Sequence, residues 1–168
     1  MGNQTHIAAD GTKILIAYYS LQGNTKRVAE CMQTICNASL HEIKPLKPYS
    51  VAGAYTLGLV HTRTKHLPKL TERIDLDQYE TIVIGTPVWA YTLVPPVRSF
   101  MKECSFAGKE VAFFCTHGGN VGSYFNDMKE LCTGAKILEG RDFFRVSKMS
   151  CESLREDVMQ WSKSIFNP

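Results

Sequence analysis

The sequence predicts an α/β fold, a three-layer α/β/α sandwich around a five-stranded parallel sheet, and three observations carry that prediction. Lys13–Tyr19, Glu80–Gly85 and Glu110–Thr116 are short continuous apolar runs, as expected of strands buried on both faces. Between them, apolar residues recur three and four apart, the period of a helix with one buried face. Strands that alternate with such helices pair in parallel, and right-handed crossovers place helices on both faces of the sheet. With 168 residues the chain suits a single domain.

Each element follows in order. Residues 1–12 read as a flexible lead-in and 13–168 as one domain. After the strand at Lys13–Tyr19, the segment from Asn24 to Ile35 places Val28, Ala29, Met32 and Ile35 on one helical face. Leu40–Ile43 is a short strand, closed by Pro45 and Pro48. Tyr49–Leu76 carries the weakest pattern, with a helical tendency over Val51–Val60 despite Gly53 and Gly58. Glu80–Gly85 is the second strong strand, and Pro95-Pro96 open a helix over Val97–Cys104, because proline suits a first turn. Glu110–Thr116 is the third strong strand, and Ser123–Cys132 the next helix. Ala135–Leu138 and Phe143–Val146 make a final strand broken around Gly140, and Ser153–Phe166 closes the chain as an amphipathic helix.

Composition narrows the function. Hydrophobic residues make up 44% and charged residues 21%, the balance of an ordinary globular protein. The net charge of +3 is spread along the chain, which argues against a nucleic-acid partner. No apolar stretch approaches the roughly 20 residues of a membrane span, and the start lacks the pattern of a signal peptide. Six cysteines show neither a CxxC nor a metal-ligand spacing. The expectation is a reduced, cytoplasmic protein with no metal.

In an open parallel sheet, ligands bind beyond the carboxyl ends of the strands, so the loops leaving the three strong strands hold the candidate site. The first is Ser20-Leu21-Gln22-Gly23-Asn24-Thr25. A helix N-terminus presents unsatisfied N–H groups and partial positive charge. Ser20, Asn24 and Thr25 add side-chain donors, and Gly23 lets the backbone close around a phosphate. No lysine or arginine is present, so the loop predicts neutral hydrogen bonding; the plainer alternative is a side-chain cap from Asn24 or Ser20. The second loop, Thr86-Pro87-Val88-Trp89-Ala90-Tyr91-Thr92, offers aromatic rings to a planar ligand, or simply packs them on a neighbouring helix. The third runs from Thr116-His117 through Gly118, Gly119, Asn120 and Gly122 to Ser123. Its glycines allow close approach of a flat ligand, or make a plain flexible turn.

Other nucleotide sites are excluded. There is no GxGxxG, and Gly53 and Gly58 precede Leu59 and Val60 where a Walker motif needs Lys and Ser or Thr. The segments SLQGNT, DLDQYETIVIGTPVWAYTLVPPVRSFM (Asp75–Met101) and FFCTHGGNVGSYFNDMKELC (Phe113–Cys132) resemble those of the flavodoxin family, and the resemblance runs from about Lys13 to Phe166. It implies a flavodoxin-like sandwich with strand order 2-1-3-4-5 and non-covalently bound FMN. Ser20, Gln22, Gly23, Asn24 and Thr25 would then hold the FMN phosphate. Thr86, Pro87, Val88, Trp89, Ala90 and Tyr91 would flank one side of the isoalloxazine. Thr116, His117, Gly118, Gly119 and Asn120 would border the opposite edge, with Gly122 and Ser123 beyond them.

Two departures stand out. Carriers of this family are usually acidic, whereas this chain is slightly basic. They also often place glycine where the second loop meets the flavin; here Ala90 follows Trp89, so a positive φ is costlier. The cofactor would supply the redox chemistry. His117 is the side chain placed to stabilise charge or pass a proton at its edge, a plain solvent-facing histidine being the alternative. The basic run from His61 to His66, with Lys69 beyond, suits a phosphorylated nicotinamide cofactor or an acidic partner, or is a solvated face. The leading function is electron transfer through FMN between redox partner proteins. The alternatives are an FMN-dependent NAD(P)H oxidoreductase acting on quinones or similar small acceptors, and a binding module that has lost flavin.

Overall fold

The computed structural model describes residues 13–166; the lead-in assigned to 1–12 lies outside them. The chain opens with β1 (Ile14–Tyr18), α1 (Asn24–Cys36) and β2 (Ser39–Glu42). A helical stretch over 51–63 follows, made of α2 (Val51–Gly53), a π-turn at Ala54–Gly58 and α3 (Leu59–Arg63). Next come β3 (Thr81–Trp89), β4 (Thr92–Leu93), α4 (Pro95–Glu103), β5 (Glu110–His117) and α5 (Tyr124–Glu130). The chain closes with β6 (Lys136–Ile137), β7 (Arg141–Phe144), a 3-10 turn at Val146–Lys148 and α6 (Cys151–Phe166).

The sheet runs β2-β1-β3-β5-β6, with β7 also paired to β5, and every pairing in this path is parallel. Counting β6 and β7 as one interrupted strand gives five ribbons in the order 2-1-3-4-5. The interruption has a geometric cause. Val111 faces Ile137 while Phe114 faces Arg141, so three residues on the outer strand oppose two on β5. That is a bulge, and it sits at Gly140, where a Cβ would collide with the Phe125 ring.

Both faces of the sheet are covered, which explains why β1, the first six residues of β3 and the middle of β5 are apolar without alternation. On one face Val28, Ala29 and Met32 of α1 pack with Val158 and Trp161 of α6 around Phe114. On the other, Val97, Phe100 and Met101 of α4 pack with Tyr124 and Met128 of α5 around Phe113 and Ile84. Tyr124 is fully buried and its hydroxyl donates to the Phe114 carbonyl at 2.8 Å, which offsets the cost of burying it.

Three expectations change. The stretch Thr86–Thr92 is largely strand rather than loop, because β3 continues to Trp89 and turns into a hairpin with β4. The basic run begins in a helix rather than a loop, since His61 and Arg63 belong to α3 and His61 is tied to Tyr49, while Arg63, Lys65, His66 and Lys69 are exposed. Arg145 and Val146 lie beyond the final strand rather than in it. Among the described residues, no helix is long and apolar enough to cross a membrane.

Candidate functional site

The strand order reverses between β1 and β3, and the loops leaving β1, β3 and β5 converge at that end of the sheet on a cavity of about 350 Å³. This is within the usual range for a small-ligand site.

The first wall is the β1–α1 loop, which contributes Ser20, Leu21, Gln22, Asn24 and Thr25. Gly23 is the cap residue of α1, at φ +86°, and no side chain caps the helix. The capping alternative for Asn24 or Ser20 is therefore absent. The first intrahelical bond runs from Arg27 N–H to the Gly23 carbonyl at 2.9 Å, leaving the amides of Asn24, Thr25 and Lys26 ahead of it. The Ser20 hydroxyl is buried and has no protein partner. An orphaned hydroxyl beside free helix amides is costly unless an acceptor arrives. Thr25 is also buried, and its hydroxyl bonds that of Thr116 at 2.8 Å, tying the loop to β5.

The second wall is the β3–β4 hairpin, with Pro87, Val88, Trp89 and Ala90 lining the cavity. Ala90 and Tyr91 form a two-residue turn with both φ positive, +46° and +66°. Such turns favour Asn-Gly, and each residue with a Cβ costs roughly 1–2 kcal/mol there. The compensation lies across the cavity mouth. Gly122, at φ +58°, is so close that a Cβ would collide with Tyr91. The Ser123 amide donates to the Tyr91 carbonyl at 2.9 Å. Asp127 accepts from Ser123 Oγ at 2.6 Å and also from Thr92 Oγ1. Nearby, burial lowers the pKa of the Arg98 guanidinium, and the charge of Asp127 opposes that shift.

Trp89 both lines the cavity and packs on its neighbours. Tyr49 and Tyr19 meet it edge-on at 5.4 and 6.0 Å, and a Cβ on Gly58 would lie 2.9 Å from its ring. Burial, then the nearby Tyr49, pushes the Tyr19 phenol up to about 12.

The third wall is β5 and its loop, with Thr116, His117 and Gly118 lining the cavity. His117 Nδ1 meets the Gly119 carbonyl at 2.7 Å and Nε2 meets the Asp142 carboxylate at 2.9 Å. Its nitrogens are committed to the protein rather than to the cavity.

Of the residues expected from the sequence, Gly23, Thr86, Tyr91, Gly119, Asn120, Gly122 and Ser123 do not line the cavity; Tyr91, Gly122 and Ser123 hold its hairpin wall. Sequence reasoning missed Leu21, Ala54, Tyr55, Leu59, Arg145, Val146 and Ser147, all of which do line it. Ala54, Tyr55 and Leu59 come from the helical stretch over 51–63, whose helical pattern was the one available signal. The Ser20–Thr25 loop itself carries no cation, and Arg145 brings one to the cavity from another segment. It adopts φ +48°, places its guanidinium 4.8 Å from the Phe144 ring, and is followed by carbonyls that Arg27 binds at Val146 (2.7 Å) and Met149 (3.2 Å).

This fold and cavity define a class, the α/β proteins that hold an anionic planar ligand at the switch point of a parallel sheet. Residues 13–165 match the family model described as Flavodoxin, and the chain belongs to that family. Among solved structures it is similar to one from Bacteroides uniformis, at 28% identity over 92% of this chain and 99% of that one, TM-score 0.79. It is also similar to a flavoprotein from Lactobacillus acidophilus in complex with FMN, at 26% identity over 91% and 100%, TM-score 0.69. An NADPH-quinone reductase from P. pentosaceus shares the fold at 9% identity over 94% and 99%, TM-score 0.62. No curated protein matches the chain.

Proposed function

We propose that the chain binds FMN non-covalently in this cavity and transfers electrons between redox partners. The observation that carries the reading is the buried, unpartnered Ser20 hydroxyl beside the uncapped N-terminus of α1. Together they provide donors without acceptors, which is what a phosphate requires. Ser20, Gln22, Gly23, Asn24 and Thr25 hold the phosphate, with Arg145 as the cation in the same cavity. Pro87, Val88, Trp89 and Ala90 flank one side of the ring system, and Thr116, His117 and Gly118 border the other. The FMN-bound relative from Lactobacillus acidophilus supports this choice of ligand.

Bound FMN supplies one- and two-electron redox chemistry. The protein's own part is to bind, orient and shield. Gly122 and Asp127 fix the strained hairpin against the ring, and Trp89 excludes water from one side. Asp142 and the Gly119 carbonyl fix the position of the His117 ring at the cavity edge.

A second reading, an NAD(P)H oxidoreductase acting on quinones, is favoured by the apolar side chains that Tyr55 and Leu59 bring to the cavity lining, which suit a planar acceptor. Anaerobic titration of the FMN-loaded protein separates the two. The carrier reading expects an unchanged visible spectrum with NADPH and complete bleaching with dithionite; bleaching by NADPH would put the enzyme first. The binding step is checked by flavin fluorescence. Ser20→Ala is expected to weaken FMN by about tenfold to 150-fold and riboflavin hardly at all, from the loss of one hydrogen bond to a charged group. A wild-type chain that does not retain FMN would sink both readings.

A further inference from the structure

The large exposed apolar side chains are not scattered along the chain. Among the described residues, six of the eight, Leu46, Val51, Tyr55, Leu57, Val60 and Leu67, fall within residues 46–67. The other two, Tyr91 and Phe144, adjoin Ala90 and Arg145 in the cavity wall, and Tyr55 is itself in the lining although 70% exposed. Isolated exposed leucines need no explanation, but six large apolar side chains exposed on one short segment that reaches the cavity point to an interaction surface.

The helical stretch over 51–63 makes the point sharply. It buries only Ala54, Gly58 and Thr62, and turns Val51, Tyr55, Leu57 and Val60 toward solvent. A helix whose outer face meets only water carries polar residues there.

Charge identifies the occupant. From Ile43 to Thr71 there is no Asp or Glu, and there are five basic residues, Lys44, Lys47, Arg63, Lys65 and Lys69. The chain carries +3 overall, so the remaining residues sum to −2. Lys44 pairs with Glu42, while among the described residues the other four have no carboxylate partner. An apolar centre flanked by unpaired cations is the anatomy of a protein interface whose partner is acidic.

We propose that this face docks an acidic electron-carrier protein, seated on Tyr55, Leu57 and Val60 and steered by Lys47, Arg63, Lys65 and Lys69. The proposal rests on the FMN reading, because Tyr55 of this face lines that cavity. A flat lipid surface fits less well, because the cavity mouth is concave.

The test uses a plant-type [2Fe–2S] ferredoxin, an acidic one-electron carrier. Its oxidised form is titrated into the 15N-labelled full chain and followed by backbone NMR, a readout that needs no flavin. Shifts are expected at 46–67, Tyr91 and Phe144, and should vanish near ~0.5 M salt, where screening is strong. Lys65→Glu with Lys69→Glu should weaken binding about tenfold at low salt. Leu57→Ser with Val60→Ser should weaken it at every salt concentration, and both pairs are exposed enough to leave FMN affinity and the circular dichroism spectrum unchanged.

In stopped flow with the FMN-loaded chain, two reduced ferredoxins and two solvent protons reduce one FMN, and the lysine reversal should slow that reduction by about tenfold. A chain that loads FMN but shows no salt-sensitive shifts overturns the docking face. Binding to phosphatidylglycerol vesicles that Leu57→Ser with Val60→Ser abolishes, without ferredoxin shifts, overturns it in favour of a membrane. Localised shifts in a chain that holds no FMN leave the docking face standing and sink the cofactor reading.

Discussion

At the scale of single residues, the cavity depends on backbone conformations that side chains disfavour. Ala90 and Tyr91 occupy positive φ with Cβ atoms present, and the strain persists because Gly122, Ser123 and Asp127 over-determine the turn. Gly122→Ala tests this directly. The new Cβ would collide with Tyr91 and would itself sit at φ +58°, so the hairpin must move away from the cavity. The expected result is a loss of FMN affinity of about tenfold, with about 1–3 kcal/mol lost from stability to overpacking and strain. Fluorescence titration and thermal melting read the two effects separately. Asp127→Asn is the milder companion: it keeps the shape but removes the charge that faces Arg98, so affinity should fall less than with Gly122→Ala while stability still drops measurably. Equal FMN affinity in wild type and both variants would mean that the hairpin position does not matter.

At the scale of elements, the site is a meeting of strand ends held in place by helices. Arg27 of α1 donates to the carbonyls of Val146 and Met149, and so fixes the segment that carries Arg145 relative to the α1 N-terminus. Arg27→Gln should cost about 1.5–3 kcal/mol, the range for hydrogen bonds from a charged donor, read as a shift in the denaturation midpoint at constant slope. An unchanged midpoint would show that the strap carries no load. The order and type of the main elements were legible in the sequence because β1, β3 and β5 are buried on both faces and α1 has a clean apolar face. The hairpin was not. Pro87 and the Ala90-Tyr91 pair carry no Asn-Gly signal, since the turn is stabilised by Gly122 and Asp127, which are remote in sequence. The contribution of the helical stretch over 51–63 was hidden for the opposite reason: its buried face is Ala54, Gly58 and Thr62, too small and polar to give an apolar period. Arg145 was illegible because a bulge and a left-handed backbone direct it into the cavity, and neither is written in local composition.

At the scale of the whole molecule, the same end of the sheet couples cavity, helix and acid stability. The Tyr49 hydroxyl lies 2.7 Å from Nδ1 of His61, and burial, then the nearby His66 ring, lowers the His61 pKa below 6.5. Burial likewise lowers that of His41. Both histidines are therefore harder to protonate in the folded chain than in the unfolded one. Where the unfolded chain binds more protons, stability rises with pH. Above about pH 7 neither state is protonated at these sites and their contribution is flat. As pH falls through 6.5 the unfolded state gains protons first, so stability drops until the lowered folded values are reached, and is then flat again for these two groups. Protonated His61 would also carry a proton at Nδ1 and would meet the Tyr49 hydroxyl as a donor, placing a positive charge beside the ring that packs edge-on to Trp89. Denaturation between pH 7.5 and 5 should therefore show a decline that His61→Gln makes shallower, and the intrinsic fluorescence of Trp89 should shift over the same interval. A pH profile identical in wild type and His61→Gln would separate acid stability from this cluster.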